Sequence, residues 1–158
     1  MKKTLILLLV FTTGLFVFPS CKKKKGCTDS NSISYDKDAE EDDGSCQYAG
    51  TGGNTTIVAK PEHHGVPINS QPGHVDSAFI KFNTQEFPGY SASNYDLVLP
   101  GEEGEDHVHV MNLKPGKYYI MMTGRDTSGG DSLRVTGGIP YILTQGSGEV
   151  VVKVPVTE

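Results

Sequence analysis

The densest group of potential ligands in the sequence lies between Cys27 and Cys46, where seven acidic residues accompany one lysine, Lys37. Carboxylates two residues apart can converge from a loop on a hard cation such as Ca²⁺, which takes about six to eight oxygen ligands. Without a cation, the net negative charge of this segment repels itself and keeps the chain open. The spacing is therefore compatible with two structures, a compact cation-binding module and an acidic loop that holds no ion.

A second group of potential ligands follows a strand-like pattern in "DHVHVMNL" (106–113). Alternation puts Val108 and Val110 on one face of the strand, and His107, His109 and Met111 on the other. Two imidazoles on one strand face chelate zinc or copper when a third ligand is present, and a thioether favours copper. The predicted transition-metal ligands are His107, His109, Met111 and Met121, the last expected across the following hairpin. The alternative is a set of polar side chains on the solvent face of a strand.

No catalytic constellation accompanies these potential ligands. The chain contains no Gly-x-Ser-x-Gly, no phosphate-binding loop and no His-Glu-x-x-His sequence. The acidic run "GEEGED" (101–106) is interpreted as a solvated turn and not as an acid–base pair. The sequence therefore predicts a protein that is not an enzyme.

The N-terminal residues determine the expected cellular location. Lys2 and Lys3 precede an apolar stretch over 5–18, the layout of a secretory signal, which is short for a membrane-spanning helix. The small residues before Cys21 resemble the lipobox of bacterial lipoproteins, in which the cleaved chain begins at a lipidated cysteine. The resemblance implies a signal peptide over 1–20, a palmitate-type lipid on Cys21 and a location in the bacterial cell envelope, with the outer membrane as the expected site. The alternative is an ordinary signal peptide that is cut nearby.

Lipidation of Cys21 leaves Cys27 and Cys46 to pair in an oxidising compartment. Lysines occupy positions 22–25, and the tether over 21–26 is interpreted either as a basic patch that contacts anionic headgroups or as a flexible connection. Removal of residues 1–20 takes away two of the 14 basic residues and none of the 19 acids, so the net charge changes from −5 to −7. An acidic chain of this kind is not expected to bind nucleic acid.

The acidic segment itself resembles a known calcium motif. The string "CTDSNSISYDKDAEEDDGSC" is similar to the Cys-Thr-Asp…Asp-Asp-Gly-Ser-Cys motif of secreted bacterial proteins and to thrombospondin type 3 repeats. The resemblance implies a disulfide-closed module over 27–48 with calcium as its cofactor. The implied calcium ligands are Asp29, Asp36, Asp38, Asp42 and Asp43.

Residues 55–158 have the pattern of a single all-β domain, which a Gly-rich linker over 49–54 connects to the acidic module. Short β-rich runs are separated by Gly, Pro and Asn turns, at 55–60, 77–83, 95–99, 106–113, 117–124, 139–145 and 149–156. This number of strands in about 100 residues is typical of a β-sandwich. Alternation in the fifth run directs Tyr118, Ile120 and Met122 inward, to the core of the domain.

Two stretches of this domain, "HHGVPINS" (63–70) and "NLKPGKYYI" (112–120), resemble the transthyretin-like, carboxypeptidase regulatory-like family. The resemblance implies a seven-strand, immunoglobulin-like sandwich that carries no catalytic residues. The segment "QEFPGYSASN" (85–94) is an insertion relative to that family.

The combined prediction is a lipid-anchored, non-catalytic protein of the cell envelope. An acidic stalk stabilised by calcium carries a sandwich that serves in binding, adhesion or scaffolding. The expected partners are the membrane, through the lipid, and an unidentified envelope protein or extracellular ligand. The alternative is an envelope protein that binds copper or zinc through the His/Met strand face.

Overall fold

The computed structural model of the chain describes residues 22–158. The predicted signal peptide and the predicted lipidation site at Cys21 lie outside these residues. Over the described range the chain is all-β, as predicted, and its helical structure is a single 3₁₀ turn at Ala92–Asn94. In the same range, the search for a helix long and apolar enough to cross a bilayer finds none.

The strands of residues 22–158 form three sheets. They are β1 (Lys25–Gly26), β2 (Glu41–Asp42), β3 (Thr51–His63), β4 (Val66–Pro67), β5 (Ser77–Phe82), β6 (Leu97–Pro100), β7 (Val108–Leu113), β8 (Gly116–Asp126), β9 (Leu133–Leu143) and β10 (Ser147–Val156). β1 and β2 form a small parallel pair, and the other strands form two four-stranded sheets. Every predicted β-rich run overlaps a strand, and the two-residue strands β1, β2 and β4 are additional.

The first sheet is built around β3. β10 pairs with β3 in parallel, from Ser147 opposite Asn54 to Val156 opposite His63. On its other side β3 pairs antiparallel with β7 and, near its end, with β4. The second sheet has the order β6-β5-β8-β9, with antiparallel pairs throughout. Because β7 and β8 are consecutive strands of different sheets, the turn at 114–115 carries the chain from one layer to the other.

The core lies between the two sheets and follows the alternation read from the sequence. In β7, Val108 and Val110 are buried, whereas His109 and Met111 are exposed. The fully buried inward residues of β8 include Tyr118, Ile120 and Met122. Removal of these apolar side chains from water is the main favourable contribution to folding, at roughly 25 cal/mol per Å² of area buried. The opposite face of β7, with its polar side chains, is directed to solvent.

Residues 49–54 differ from the predicted flexible linker. β3 begins at Thr51, and Ala49 is buried against the core. A Cβ atom on Gly53 would collide with the carbonyl group of Leu113, so glycine is required for this approach of β3 to β7. Gly53 therefore serves close backbone packing and Gly52 a positive φ of 85° within β3, and the acidic module continues into the sandwich without a free linker.

The insertion at 85–94 covers part of the outer face of the second sheet. Phe87 packs on Tyr119 with ring centroids 5.7 Å apart, and next to the insertion Tyr95 packs edge-on against Phe79 at 5.6 Å. The Tyr95 hydroxyl lies 3.2 Å from the sulfur of Met121, which is 2% exposed. β8 is consequently buried on both of its faces.

Candidate functional sites

The acidic module is closed by a disulfide between Cys27 and Cys46, whose Cα atoms lie 4.8 Å apart. Next to it, the Ser32 hydroxyl donates to the Gln47 carbonyl oxygen at 2.9 Å, and the Ile33 N–H donates to the same oxygen at 3.0 Å. Cys27 and Ser32 are fully buried, although the module is small. The predicted pairing of the two cysteines is confirmed, and polar contacts support it.

A lysine lies among the predicted calcium ligands. The Lys24 ammonium is 2.8 Å from Asp36 Oδ2 and 3.7 Å from Asp38 Oδ2, and Lys25 pairs with Glu41 at 3.1 Å. The hydrogen bond from Lys24, with a second from the Asp38 N–H, lowers the pKa of Asp36 below its ordinary value. Asp36 and Asp38 are thus placed to hold a cation, and the Lys24 ammonium occupies that place. The last two lysines of the predicted tether belong to the module.

The other predicted calcium ligands form short turns with their own backbone. Asp29, Asp42 and Asp43 each accept a hydrogen bond, at 2.9 to 3.0 Å, from the N–H two residues further along the chain. Aspartate favours turns because its side chain can make this bond. Asp29 also accepts a bond from the Tyr48 hydroxyl at 2.7 Å. Each of these carboxylates therefore already serves as a structural acceptor.

The five aspartates do not converge on one point. Within residues 22–158, the one group of three or more His, Cys, Asp or Glu side chains whose ligand atoms lie within 4.8 Å of one another is Glu105, Asp106 and His107. Calcium binding by the acidic module is accordingly not prearranged, and it stays a prediction from the resemblance.

The second predicted site lies at the start of β7, on the solvent side of the first sheet. The Nε2 atoms of His107 and His109 are 2.9 Å apart, with the two rings inclined at 78°. Met111 follows on the same face and is 62% exposed. The fold thus brings three of the four predicted transition-metal ligands to one surface.

Asp106 and Lys60 hold His107 in position. The Asp106 carboxylate lies 2.8 Å from His107 Nδ1 and accepts bonds of 3.0 and 3.1 Å from the Lys60 ammonium. The bond with His107, followed by that with Lys60, lowers the pKa of Asp106. Glu105 Oε2 lies 3.6 Å from the same His107 Nδ1. A neutral His107 that donates its Nδ1 proton to Asp106 keeps a free lone pair on Nε2, on the side of His109.

A cleft of about 460 Å³ opens beside these side chains, between the end of β6 and β7. Its walls include Pro100, Glu102, Glu105, His107, His109 and Met111. The loop at 101–106, which the sequence predicted as a solvated turn, therefore supplies acidic side chains to this region. Imidazole nitrogens, carboxylates and space for water are together suited to a divalent transition metal.

Met121 does not belong to this surface. It was predicted to lie across a hairpin from Met111, but β7 and β8 belong to different sheets. Its side chain is almost fully buried, with its sulfur against the Tyr95 hydroxyl. The prediction was wrong because alternation determines the face on which a side chain lies, but not the sheet to which its strand belongs.

A separate histidine–carboxylate pair joins the ends of β3 and β8. His63 Nδ1 lies 2.6 Å from Asp126 Oδ2, and the His63 ring stacks on His64 with centroids 4.1 Å apart. The bond with His63 lowers the pKa of Asp126 to about 2. His63 is 5% exposed and does not line the cleft beside His107, so this pair links the two sheets.

In comparisons with known proteins, no family model, curated protein or solved structure matches this chain. Sequence reasoning missed two acidic partners of His107, Glu105 and Asp106, and also Lys60, which binds the Asp106 carboxylate. A signal for the two acids was present, because they directly precede His107. Lys60 lies 46 residues before Asp106, and the pairing of β3 with β7 brings it there.

Proposed function

We propose that the chain is a lipid-anchored, non-catalytic protein of the bacterial cell envelope, in which the acidic module is a stiff base for the β-sandwich. The observation that carries the stiff base is the junction between the two parts, where packed and hydrogen-bonded backbone replaces a linker. The anchor rests on the resemblance of the residues before Cys21 to a lipobox. A stiff base holds the sandwich in a constant orientation above its anchor. Such an orientation suits a protein that serves in binding, adhesion or scaffolding.

Contacts on both sides of the junction support this stiffness. The Ala49 N–H donates to Asn83 Oδ1 at 2.7 Å, and the Lys114 N–H donates to the Gly50 carbonyl oxygen at 2.9 Å. Further from the junction, the Lys117 ammonium donates to the Ser30 carbonyl oxygen at 2.6 Å and so connects the module directly to β8. Bending at 49–50 would break several of these contacts at once.

The short distance in sequence between the anchor and the module supports a tightly held base. All four lysines of the tether are exposed, but Lys24 and Lys25 pair with acids of the module. Lys22 and Lys23, next to Cys21, are therefore the ones left to face the headgroups. Each contributes about 1 kcal/mol of attraction to anionic headgroups when it lies near the bilayer. The membrane is thus one partner, and an envelope protein or extracellular ligand on the sandwich is the other.

In this proposal, the acidic module binds calcium only weakly. The Asp36 and Asp38 carboxylates suit a cation, but a calcium ion must displace Lys24 and must compete with the turn hydrogen bonds of the other aspartates. We therefore expect an affinity in the range of the weakest extracellular modules, with Kd about 10⁻⁴ to 10⁻³ M.

A transthyretin-like topology for the sandwich belongs to the same proposal. Support comes from the stretch "NLKPGKYYI", in which Asn112 adopts a positive φ of 61° and the chain then crosses from the first sheet to the second. The parallel pairing of β3 with β10 adds a feature that the sequence pattern did not indicate.

The anchor is tested by the variant Cys21→Ser. It is expected to move the protein from the membrane fraction to the soluble fraction, and the mass of the wild-type N-terminal peptide is expected to include a lipid on Cys21. Lys22→Ala, which removes a charge but no lipid, is the matched control and should stay with the membrane. Membrane retention of Cys21→Ser would contradict the proposed anchor.

The stiff base is tested by electron-spin distance measurements. Spin labels at Glu40 in the module and Glu149 in β10, both exposed, are expected to give one narrow distance distribution. Lys117→Met removes the contact with Ser30 and is expected to broaden it. A broad distribution in the otherwise unchanged protein would contradict a stiff base.

A further inference from the structure

The two nitrogens of the His107–His109 pair have nearly the spacing of a metal chelate. Two imidazole nitrogens on one tetrahedral Zn²⁺, each about 2.0–2.1 Å from the ion, lie roughly 3.3 Å apart. The Nε2 atoms here are 2.9 Å apart, so an opening of about 0.4 Å admits the ion. His109 is exposed, so rotation of its side chain provides this opening without a change in the core.

Asp106 gives His107 the orientation of a metal ligand. Metal-bound histidines almost always donate their second ring N–H to a carboxylate, a carbonyl or water, which determines the tautomer and the orientation of the ring. His107 Nδ1 has this partner in Asp106 at 2.8 Å, and Lys60 holds the same carboxylate at 3.0 Å. Because Asp106 engages Nδ1, His107 Nε2 is the nitrogen left for a metal, and it lies against His109 Nε2.

The surroundings supply further oxygen ligands. Glu102 and Glu105 border the cleft beside the histidines, and the Glu105 side chain is 52% exposed and able to rotate. Imidazoles with a carboxylate and water suit Zn²⁺ and Cu²⁺, whereas Ca²⁺ prefers oxygen ligands alone. We propose that His107 Nε2 and His109 Nε2 bind one divalent transition-metal ion, Zn²⁺ or Cu²⁺, with a glutamate of the 102–105 loop and water completing its coordination. This site extends the function beyond anchoring and scaffolding and does not depend on either.

A hydrogen bond between two neutral imidazoles also has a length near 2.9 Å, and the two arrangements differ in what they do. A pair that is only hydrogen-bonded binds no metal in stoichiometric amount. A chelating pair binds one ion, and replacement of the carboxylate that orients it typically costs about 10- to 100-fold in metal affinity. The effect of replacing Asp106 on metal affinity therefore distinguishes the two arrangements, because Asp106 contacts the His107 ring on the side away from His109.

The test uses the purified, untagged full chain in detergent, titrated with ZnCl₂ in competition with a chromophoric chelator. The wild type is expected to bind one equivalent of zinc. His109→Ala is expected to abolish this binding, and Asp106→Asn to weaken it by about 10- to 100-fold. His64→Ala removes another exposed histidine and is the matched control, with unchanged affinity expected. Met111→Leu is also expected to leave zinc affinity unchanged, since the thioether is not in the proposed set.

Circular dichroism of each variant shows whether a loss of binding reflects a loss of fold, and His109→Ala is expected to keep the wild-type spectrum because the ring lies outside the core. Electron paramagnetic resonance with CuCl₂ provides a second measurement, in which coupling to two nitrogens is expected. No stoichiometric zinc or copper in the wild type, or equal affinity in His109→Ala, would overturn the proposal. Loss of affinity in His64→Ala would also overturn it, because the ion would then lie elsewhere.

Discussion

The acidic module and the surface at the start of β7 use their polar side chains in opposite ways. In the module, the aspartates that the sequence marked as calcium ligands are engaged one by one, by backbone N–H groups and by Lys24. At β7, two histidines bring their Nε2 atoms within 2.9 Å of each other, beside a cluster of acids. A metal site depends on convergent lone pairs and not on the number of ligand-type residues.

The physical reason for this difference lies in the two scaffolds. The carboxylates of the module repel one another, and an irregular chain of that length can separate them and satisfy each one locally. The pleat of a strand places residues i and i+2 on the same face, so His107, directly before β7, and His109 lie on the same side of the sheet, where their rings meet. The neighbouring loop then adds Asp106, which orients one ring.

The largest expected effect is on the free energy of unfolding and follows from removal of the disulfide, which should affect the module but not the histidine surface. The double variant Cys27→Ser/Cys46→Ser is expected to lose about 3 kcal/mol from the free energy of unfolding, because the unfolded chain is no longer constrained over a loop of this size. Zinc affinity at His107 and His109 should be unchanged, because the sandwich core does not include the disulfide. Urea unfolding and a zinc titration measure the two quantities. A simultaneous loss of zinc binding would show that the two regions are not independent.

The next effect concerns Asp76, a sandwich carboxylate whose environment is opposite to that of the exposed aspartates in the module. Asp76 is fully buried with Gly124 packed against its side chain, and burial raises the pKa of Asp76 to about 6. Because this pKa lies above the ordinary value of 3.8, the folded protein loses stability as the pH rises from about 4 to about 6. Asp76→Asn removes this loss and is expected to raise the free energy of unfolding by roughly 1–3 kcal/mol at pH 7.5.

Urea unfolding of the Asp76→Asn variant at several pH values checks this expectation. The gain should decrease towards pH 4, where the folded wild type already has a protonated Asp76. Asp131→Asn, at an exposed position in the loop after β8, is the matched control and should have little effect at either pH. An equal gain at both pH values would show that burial of charge is not the cause.

A smaller effect is expected at the pair that joins the two sheets. The bond with His63 lowers the pKa of Asp126 to about 2, so its stabilising contribution is complete above about pH 4 and is lost as the pH falls towards 2. Asp126→Asn should lower the melting temperature at pH 7 and reduce its dependence on pH between 4 and 2. Melting curves over this range provide the measurement, and an unchanged pH dependence would contradict the assignment.

The smallest expected effect is on the calcium affinity of the module after replacement of Lys24. Lys24→Met vacates the place between Asp36 and Asp38, so calcium should bind a few times more tightly than to the wild type. Lys22→Met changes the net charge by the same amount without touching these carboxylates, and is the matched control. Isothermal titration with CaCl₂ measures both. An equal gain in the two variants would show that overall charge, and not the local place, determines the affinity.

Local features of the molecule were predictable from the sequence. Strand positions and the inward faces of β7 and β8 follow from alternation over a few residues, and the Cys27–Cys46 pair follows from counting cysteines in a chain that is expected to be exported. Non-local features were not predictable. The separation of β7 and β8 into two sheets removed Met121 from the surface that carries His107 and His109, and the pairing of β3 with β7 brought Lys60 to it. The glycines at 52 and 53 had the composition of a linker, although Gly53 serves close packing and Gly52 adopts a positive φ within β3.

We expect the paired histidines at β7 to bind a metal more tightly than the numerous aspartates of the module, and NMR tests this difference within one protein. Backbone amide shifts of the ¹⁵N-labelled protein are followed during a titration with ZnCl₂ and, separately, with CaCl₂. We expect zinc to shift amides at 105–111 until one equivalent is bound, and calcium to shift amides at 27–46 only at concentrations near 10⁻⁴ to 10⁻³ M. Saturation of the 27–46 amides by one equivalent of either metal, with those at 105–111 unmoved by zinc, would contradict the account.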